Sequence, residues 1–229
     1  MRLTRNLAAG FAFASAVVAG VVAAPSAPAQ AQAQTTSFEI VDLAAAKKTV
    51  ALTFDDGPSK YTPQILDILK RNKVKATFCM LGNNVGPYAA TARRVVREGH
   101  RLCNHSRSHP NFTKLSNTAA RNQVVWTQNK IYSVTKVRPK VFRFPYGASN
   151  SRTRTVVRAQ NLRILGWTVD TRDWSRPGTA TITSRAVKGT RPGAVILMHD
   201  GGGNRSQTVA SLNATIRQLK AKGYTFVLA

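Results

Sequence analysis

The chain has 229 residues, 43% of them hydrophobic, and 34 Lys plus Arg against 9 Asp plus Glu give a formal net charge of +25. That apolar share excludes disorder throughout, and a mean hydropathy of −0.21 excludes a polytopic membrane protein. Two cysteines are too few for a disulfide scaffold or a Cys-rich zinc module, so any metal must be held by His and carboxylate.

In chain order, Arg2 and Arg5 precede an uncharged Ala, Val, Gly and Phe run over 7–24. Ala27-Pro28-Ala29 and Ala31-Gln32-Ala33 then offer small-residue cleavage patterns. Residues 1–33 read as a secretory signal peptide, the alternative being an uncleaved and weakly apolar helix. Cleavage near Ala33 removes two arginines and no acid, which leaves about +23. The expected product is secreted, extracellular or wall-associated, and without a stable membrane anchor. Residues 34–48 continue an Ala-, Gln-, Thr- and Ser-rich tether, and one domain is expected over 49–229.

From Thr49 onward, short apolar runs alternate with longer amphipathic stretches, the pattern of parallel strands joined by crossover helices. The runs predict seven strands, over 49–54, 76–81, 101–104, 140–143, 163–167, 194–198 and 225–228. Helices are predicted over 62–72, from Ile65, Leu66, Ile68 and Leu69, and over 208–222, from Leu212, Ile216 and Leu219. About 180 residues fall short of the ~250 of an eight-unit barrel. The expected class is therefore α/β, a distorted, incomplete (β/α) barrel of about seven parallel strands.

Parallel α/β folds carry their chemistry at the C-terminal ends of strands, and the unusual polar residues of this chain fall there repeatedly. Asp55 and Asp56 follow the first predicted strand and precede a Gly57-Pro58 turn. Adjacent side chains diverge, so one carboxylate can bind a metal while the other acts as a base. Taken alone, the motif is also an ordinary acidic turn. His105-Ser106-Arg107-Ser108-His109 puts two imidazoles four residues apart after the third strand. By itself such a pair is more often two unrelated histidines, but His105 directly follows a strand and another strand end offers a carboxylate, and two His and one Asp with an open position make a catalytic metal pattern. Arg143-Phe144-Pro145-Tyr146-Gly147 fixes a guanidinium beside a rigid turn whose amides can face an oxyanion. Asp170-Thr171-Arg172-Asp173-Trp174 adds two acids and an aromatic wall, and His199-Asp200 ends the sixth strand. His199 is either a satisfied core histidine or, with an Asp partner, a proton donor.

These five motifs, T-F-D-D-G-P, H-S-x-x-H, R-x-P-Y, D-x-x-D-W and L-x-H, resemble in kind and order those of the polysaccharide deacetylase family, carbohydrate esterase family 4 or the NodB-homology domain. The resemblance spans about residues 50–228 and implies a distorted (β/α) barrel. It implies that Asp56, His105 and His109 ligate one divalent metal ion, most often zinc, with cobalt, nickel or manganese as alternatives. Asp55 becomes the general base, Arg143 its orienting partner, and Tyr146 the source of an oxyanion-holding amide. His199 becomes the general acid, tuned by Asp173, and Trp174 part of a sugar-binding wall; Asp170 receives no role. The implied reaction is metal-assisted hydrolysis of an N-acetyl group on a glycan, releasing acetate and leaving a glucosamine unit.

Cys79 and Cys103 fall at similar depths in neighbouring predicted strands, as a disulfide or as two small buried hydrophobes. Residues 201–204, Gly-Gly-Gly-Asn, form either a mobile rim loop or a plain turn. The basic residues are dispersed and carry no nucleic-acid-binding motif, so no specific nucleic acid is expected. Their field attracts anionic cell-wall polymers instead, which favours peptidoglycan over the largely neutral chitin and xylan. Chitooligosaccharide deacetylation, acetylxylan esterase activity and a catalytically dead wall-binding protein are the alternatives, and a monomer is expected.

Overall fold

Strand parity organises the molecule. In β1 (Thr49–Asp55), successive side chains alternate, so Val50, Leu52 and Phe54 face one way and Ala51, Thr53 and Asp55 the other. The first set joins a large buried cluster with residues of α1 (Thr62–Arg71), α3 (Ala89–Arg97), α6 (Thr179–Gly189) and α7 (Ser206–Ala221). The second set faces a smaller interior, packed by Ala51, Cys79, Cys103, Val141, Leu165, Val195 and Ala229. A strand buried on both faces reads as the nearly continuous apolar run seen here, TVALTFD.

The computed structural model describes residues 48–229; the expected signal segment and all of the tether but Lys48 lie outside the described residues. β2 (Thr77–Met80), β3 (Arg101–Asn104), β4 (Val141–Phe142), β5 (Arg163–Ile164), β6 (Val169–Asp170), β7 (Ala194–His199) and β8 (Thr225–Phe226) complete the set. Seven strands run in the order β5-β4-β3-β2-β1-β7-β6, and β8 pairs with β1. Every pairing is parallel. β8 takes the N-terminal end of β1, Thr49 and Val50, below the stretch Thr53 to Asp55 that pairs with β2.

The run predicted over 163–167 is not one strand. The ladder stops at Ile164, residues 165–168 cross the opening of the incomplete barrel, and Val169–Asp170 pairs as β6 on the other side of β7. Two residues carry no periodicity, which is why the sequence does not announce β6. The sheet edges β5 and β6 are thus joined covalently and not by a ladder. Fully buried Arg143 spans the gap, donating to the carbonyls of Leu165 (3.4 Å) and Gly166 (2.7 Å) and to Thr53 Oγ1 (2.7 Å) on β1.

The remaining helices are α2 (Gly82–Val85), α4 (Asn117–Thr135) and α5 (Ser151–Arg158). α1 illustrates why they form. Proline stands in its first turn, Ile65, Leu66, Ile68 and Leu69 bury one stripe, and Lys70 and Arg71 oppose the negative end of the dipole. Among the described residues no helix is long and apolar enough to cross a membrane.

Candidate active site

The interior face is apolar at the level of Cys79, Cys103 and Val141, below which Arg101 and Arg163 stand, and it gathers its acids at the C-terminal end. Asp55 is in register with Cys79 of β2 and His199 of β7, and Cys79 with Cys103 of β3. The two cysteines, with Cα atoms 4.1 Å apart, are joined as a disulfide under this layer.

One wall of the site is built from the ends of β1 and β3. Asp56 leaves β1 with φ of 72° and His109 leaves the following loop with φ of 63°, left-handed conformations that turn their side chains inward. Asp56 Oδ1 lies 3.5 Å from His105 Nε2 and 3.4 Å from His109 Nε2. It is buried and has no hydrogen-bond partner. His105 Nδ1 donates to the Arg143 carbonyl at 2.8 Å, which leaves the Nε2 lone pair directed at the carboxylates. Burial acts to raise the Asp56 pKa, but His105 in the first place, with His199 and His109, holds it well below the usual carboxylate range. His105 is pulled down by burial yet raised overall by Asp55 and Asp56, whereas burial and the nearby His105 lower His109.

This donor set fits a divalent cation. Bonds of about 2.1 Å in a tetrahedron put ligand atoms ~3.4 Å apart, matching the two distances above. The three ligand atoms all fall within 4.8 Å of one another. The orphaned Asp56 oxygen is the atom a cation would satisfy.

Asp55 stands beside this group and outside it. Its Oδ1 accepts from Arg143 Nη1 at 2.8 Å, and its Oδ2 lies 3.7 Å from His105 Nε2. Since the other donors of Arg143 grip Thr53 and the 165–168 crossing, the guanidinium that closes the barrel also fixes the carboxylate.

The opposite wall belongs to β7 and the turn after β6. His199 Nδ1 pairs with Asp173 Oδ1 at 2.7 Å. Asp173 Oδ2 accepts from the His199 backbone N–H (2.8 Å) and from Thr208 Oγ1 (2.7 Å). Burial opposes both charges, but this bonding wins and leaves Asp173 lowered and His199 raised.

The walls enclose a cleft of about 700 Å³. Trp174 is 49% exposed and Tyr146 71%, so both present ring surface at the mouth. Tyr146, with φ of 59°, packs its ring edge to face with His109 at 4.4 Å between centroids. Asp170 lines the cleft from the end of β6, with Oδ1 accepting the Arg172 N–H at 2.8 Å. Leu81 and Leu197 give it an apolar patch beside the acids.

Two contributors were not singled out from sequence, and a third, Asp200, was named beside His199 without a role. Arg205, nearly buried, donates to the carbonyls of Gly201 (2.6 Å) and Gly202 (2.9 Å), so the glycine-rich rim is pinned. Thr208 completes the Asp173 partners. Buried Asp200 accepts from Thr62 Oγ1 at 2.6 Å, and its backbone N–H donates to the Asp55 carbonyl at 3.0 Å. Burial, partly offset by Thr62 and reinforced by Asp56 and Asp55, pushes Asp200 up to about 7. A glycine is required opposite it, because a Cβ at position 57 would lie 2.1 Å from Asp200 Oδ2.

Residues 42–165 match the polysaccharide deacetylase family. The chain belongs to that family. A peptidoglycan-N-acetylglucosamine deacetylase of Listeria monocytogenes is 42% identical over 188 residues, covering 82% of this chain but 39% of its own length. This chain thus spans well under half of that relative. A chitooligosaccharide deacetylase of Rhizobium leguminosarum bv. trifolii is 36% identical, with 78% of this chain and 88% of the relative covered. Among solved structures, the Bc1960 peptidoglycan N-acetylglucosamine deacetylase bound to a hydroxamate-type benzamide superposes with a TM-score of 0.77 at 40% identity, over 80% of this chain and 87% of that one. A pseudoenzyme of the same carbohydrate esterase family from Bacillus anthracis reaches 0.75 at 33% identity, over 80% and 64%. Polysaccharide deacetylases of near-identical fold therefore differ in activity, and the burden of a functional reading falls on the residues of the site.

Proposed function

We propose that this polysaccharide deacetylase hydrolyses N-acetyl groups on an N-acetylated glycan, with peptidoglycan as the favoured substrate. The observation that carries the reading is the facing pair of walls: an Arg-oriented carboxylate beside an unsatisfied Asp-His-His set, and across the cleft an Asp-paired imidazole.

A divalent cation held by Asp56, His105 and His109 supplies Lewis acidity toward the acetyl carbonyl and toward water; zinc suits two imidazoles and one carboxylate. Asp55, held by Arg143, takes the proton of the attacking water as the new C–O bond forms. The Tyr146 backbone amide serves the oxyanion. His199, kept protonated by Asp173, gives its proton to the nitrogen as the C–N bond breaks, yielding acetate and an amine. Trp174 provides the face on which a sugar ring rests.

The peptidoglycan preference is supported by the names of several relatives and by the +25 charge, which suits an anionic wall. The chitooligosaccharide reading draws on relatives aligned over nearly their whole length. We also place the protein outside the cell, retained on wall polymers through its basic surface. The Cys79 to Cys103 disulfide supports an oxidising compartment. Acetate release from peptidoglycan, chitin oligomers and acetylxylan, measured side by side, tests the substrate. The reading expects peptidoglycan first, and acetylxylan as the best substrate would overturn it.

A further inference from the structure

The loop that carries His105 and His109 cannot continue the β3 ladder, because Ser106 (φ of 71°) and His109 (φ of 63°) are both left-handed. Its N–H groups must find acceptors elsewhere. His105 still reaches a backbone acceptor, the Met80 carbonyl at 3.0 Å. The Ser106 N–H goes to Asn104 Oδ1 (2.9 Å) and the His109 N–H to Ser106 Oγ (3.1 Å), both close in sequence. The two in between, on Arg107 (2.9 Å) and Ser108 (3.1 Å), converge on one distant atom, Gln123 Oε1 of α4. Gln123 Nε2 also donates to Ser108 Oγ at 3.2 Å.

α4 is itself fixed against the site. Fully buried Asn104 donates to the Val124 carbonyl (3.0 Å) and to Gln128 Oε1 (3.3 Å), which ties the end of β3 to this helix. On its other side α2 approaches so closely that a Cβ at position 82 would lie 2.6 Å from Thr127 Oγ1, and only glycine fits there. The N–H groups of Gly82 and Asn83 donate in turn to the carbonyls of Ser106 (2.9 Å) and Arg107 (3.0 Å). The loop is thus gripped by its amides from Gln123 and by its carbonyls from α2.

The two imidazoles depend on this grip to different degrees. The His105 ring is buried and its Nδ1 is fixed by the Arg143 carbonyl. Among the described residues no hydrogen bond fixes the His109 ring, which packs edge to face against Tyr146 and His105. Its aim is therefore set by the backbone that carries it. We infer that Gln123 is a positioning residue for the metal site: by accepting from two successive N–H groups between His105 and His109, it holds the loop from which His109 reaches Asp56. This rests on the metal-dependent deacetylase reading and adds to it a residue outside the five motifs, on a helix that does not line the cleft. Water can satisfy two exposed amides but cannot hold them in place, so losing Gln123 should loosen the loop without unfolding the protein.

Metal binding itself provides the test, read without turnover. Zinc affinity by competition with a chromogenic chelator, and the visible spectrum of the cobalt-loaded protein, are measured for the wild type, Gln123→Leu, Gln123→Ala and Gln123→Glu. Urea unfolding of each metal-free protein runs alongside. Leucine and alanine suit a helix but offer no acceptor, whereas glutamate keeps one. The Leu and Ala variants should bind zinc about tenfold more weakly, the range of a lost outer hydrogen bond at a metal site, and should shift the cobalt band. Their metal-free unfolding midpoints should stay close to that of the wild type, and Gln123→Glu should recover most of the lost affinity. Wild-type affinity and spectrum in the Leu and Ala variants, or a Glu variant as weak as they are, would overturn the inference while leaving the deacetylase reading standing. So would a loss of affinity accompanied by an equal loss of metal-free stability, which would make Gln123 a residue of the fold alone. A wild type that binds neither zinc nor cobalt would overturn the metal-dependent reading, and this inference with it.

Discussion

The two walls of the cleft differ in how completely the protein satisfies them. On the acid side, both Asp173 oxygens are engaged by His199 and Thr208, and the dyad is finished by protein groups alone. On the other side, Asp56 Oδ1 is buried and unpartnered, with two imidazole nitrogens turned on it at 3.4 and 3.5 Å. The first wall is preorganised by ordinary hydrogen bonding, whereas the second is complete only with an added cation. Perturbations should therefore separate cleanly by wall.

The largest effect should come from the incomplete wall. Chelation should take activity to background, and zinc or cobalt should restore it. Asp56→Ala and His105→Ala should lose bound metal by elemental analysis together with activity. Full turnover in a preparation shown to be metal-free would remove the basis of the comparison.

Asp55→Asn comes next and asks where the boundary between base and ligand runs. Asparagine can still accept from Arg143 but cannot take a proton, so turnover should fall roughly 10²- to 10⁴-fold while metal content stays at the wild-type level. A variant that arrives empty of metal would mean that the two carboxylates exchange roles.

The incomplete wall was the more legible of the two in the sequence. Asp55, Asp56, His105 and His109 fall in two short motifs directly after long or well-bounded strands, and strand ends are where a parallel fold directs its chemistry. In the acid wall the residues by themselves gave only types, and the pairing of His199 with Asp173 was an expectation of the family resemblance. Asp173 follows β6, a strand of two residues without periodicity, and Thr208 reaches it from α7, 35 positions along the chain. Arg143 was legible as a guanidinium at a strand end, but its span of the barrel opening depends on where β5 stops, which no local pattern encodes. Asp200 and Arg205 act through backbone carbonyls and buried contacts that only the folded chain brings together.

The finished wall yields a smaller and substrate-dependent effect. An amine must be protonated to leave, while an activated phenol leaves as its anion, so His199→Ala should cost about 10²-fold or more on N-acetylglucosamine oligomers and little on an aryl acetate. Equal losses on both would make His199 a structural residue. Asp173→Asn tests the pairing itself. His199 must be protonated to act and its pKa is raised by Asp173, so the rate falls as pH rises through that raised value. Removing the Asp173 charge lowers the pKa and should move the alkaline limb of kcat to lower pH, with metal content unchanged. A limb that stays in place would assign it to another group.

The smallest effect on activity should come from Asp200, which lies beneath both walls and touches neither the acetyl path nor the acid dyad. Its folded pKa of about 7 stands above the ~3.9 of an unfolded aspartate, so the folded state holds the extra proton between those limits. Stability from the neutral carboxyl is fully present below about pH 4 and is lost as pH rises toward 7, by an amount on the order of 4 kcal/mol. Asp200→Asn keeps an acceptor for Thr62 Oγ1 and has no charge to bury, so this pH slope should vanish. Urea unfolding of metal-free protein at pH 5 and pH 8 reads the difference directly: the wild type should lose stability across that interval and the variant much less. Because Asp55 and Asp56 add to the shift, a bound cation should reduce the wild-type slope as well. Parallel losses in wild type and variant would place the pH sensitivity elsewhere, most directly in His199 and Asp173, whose pairing would then dominate the stability of the cleft as well as its chemistry.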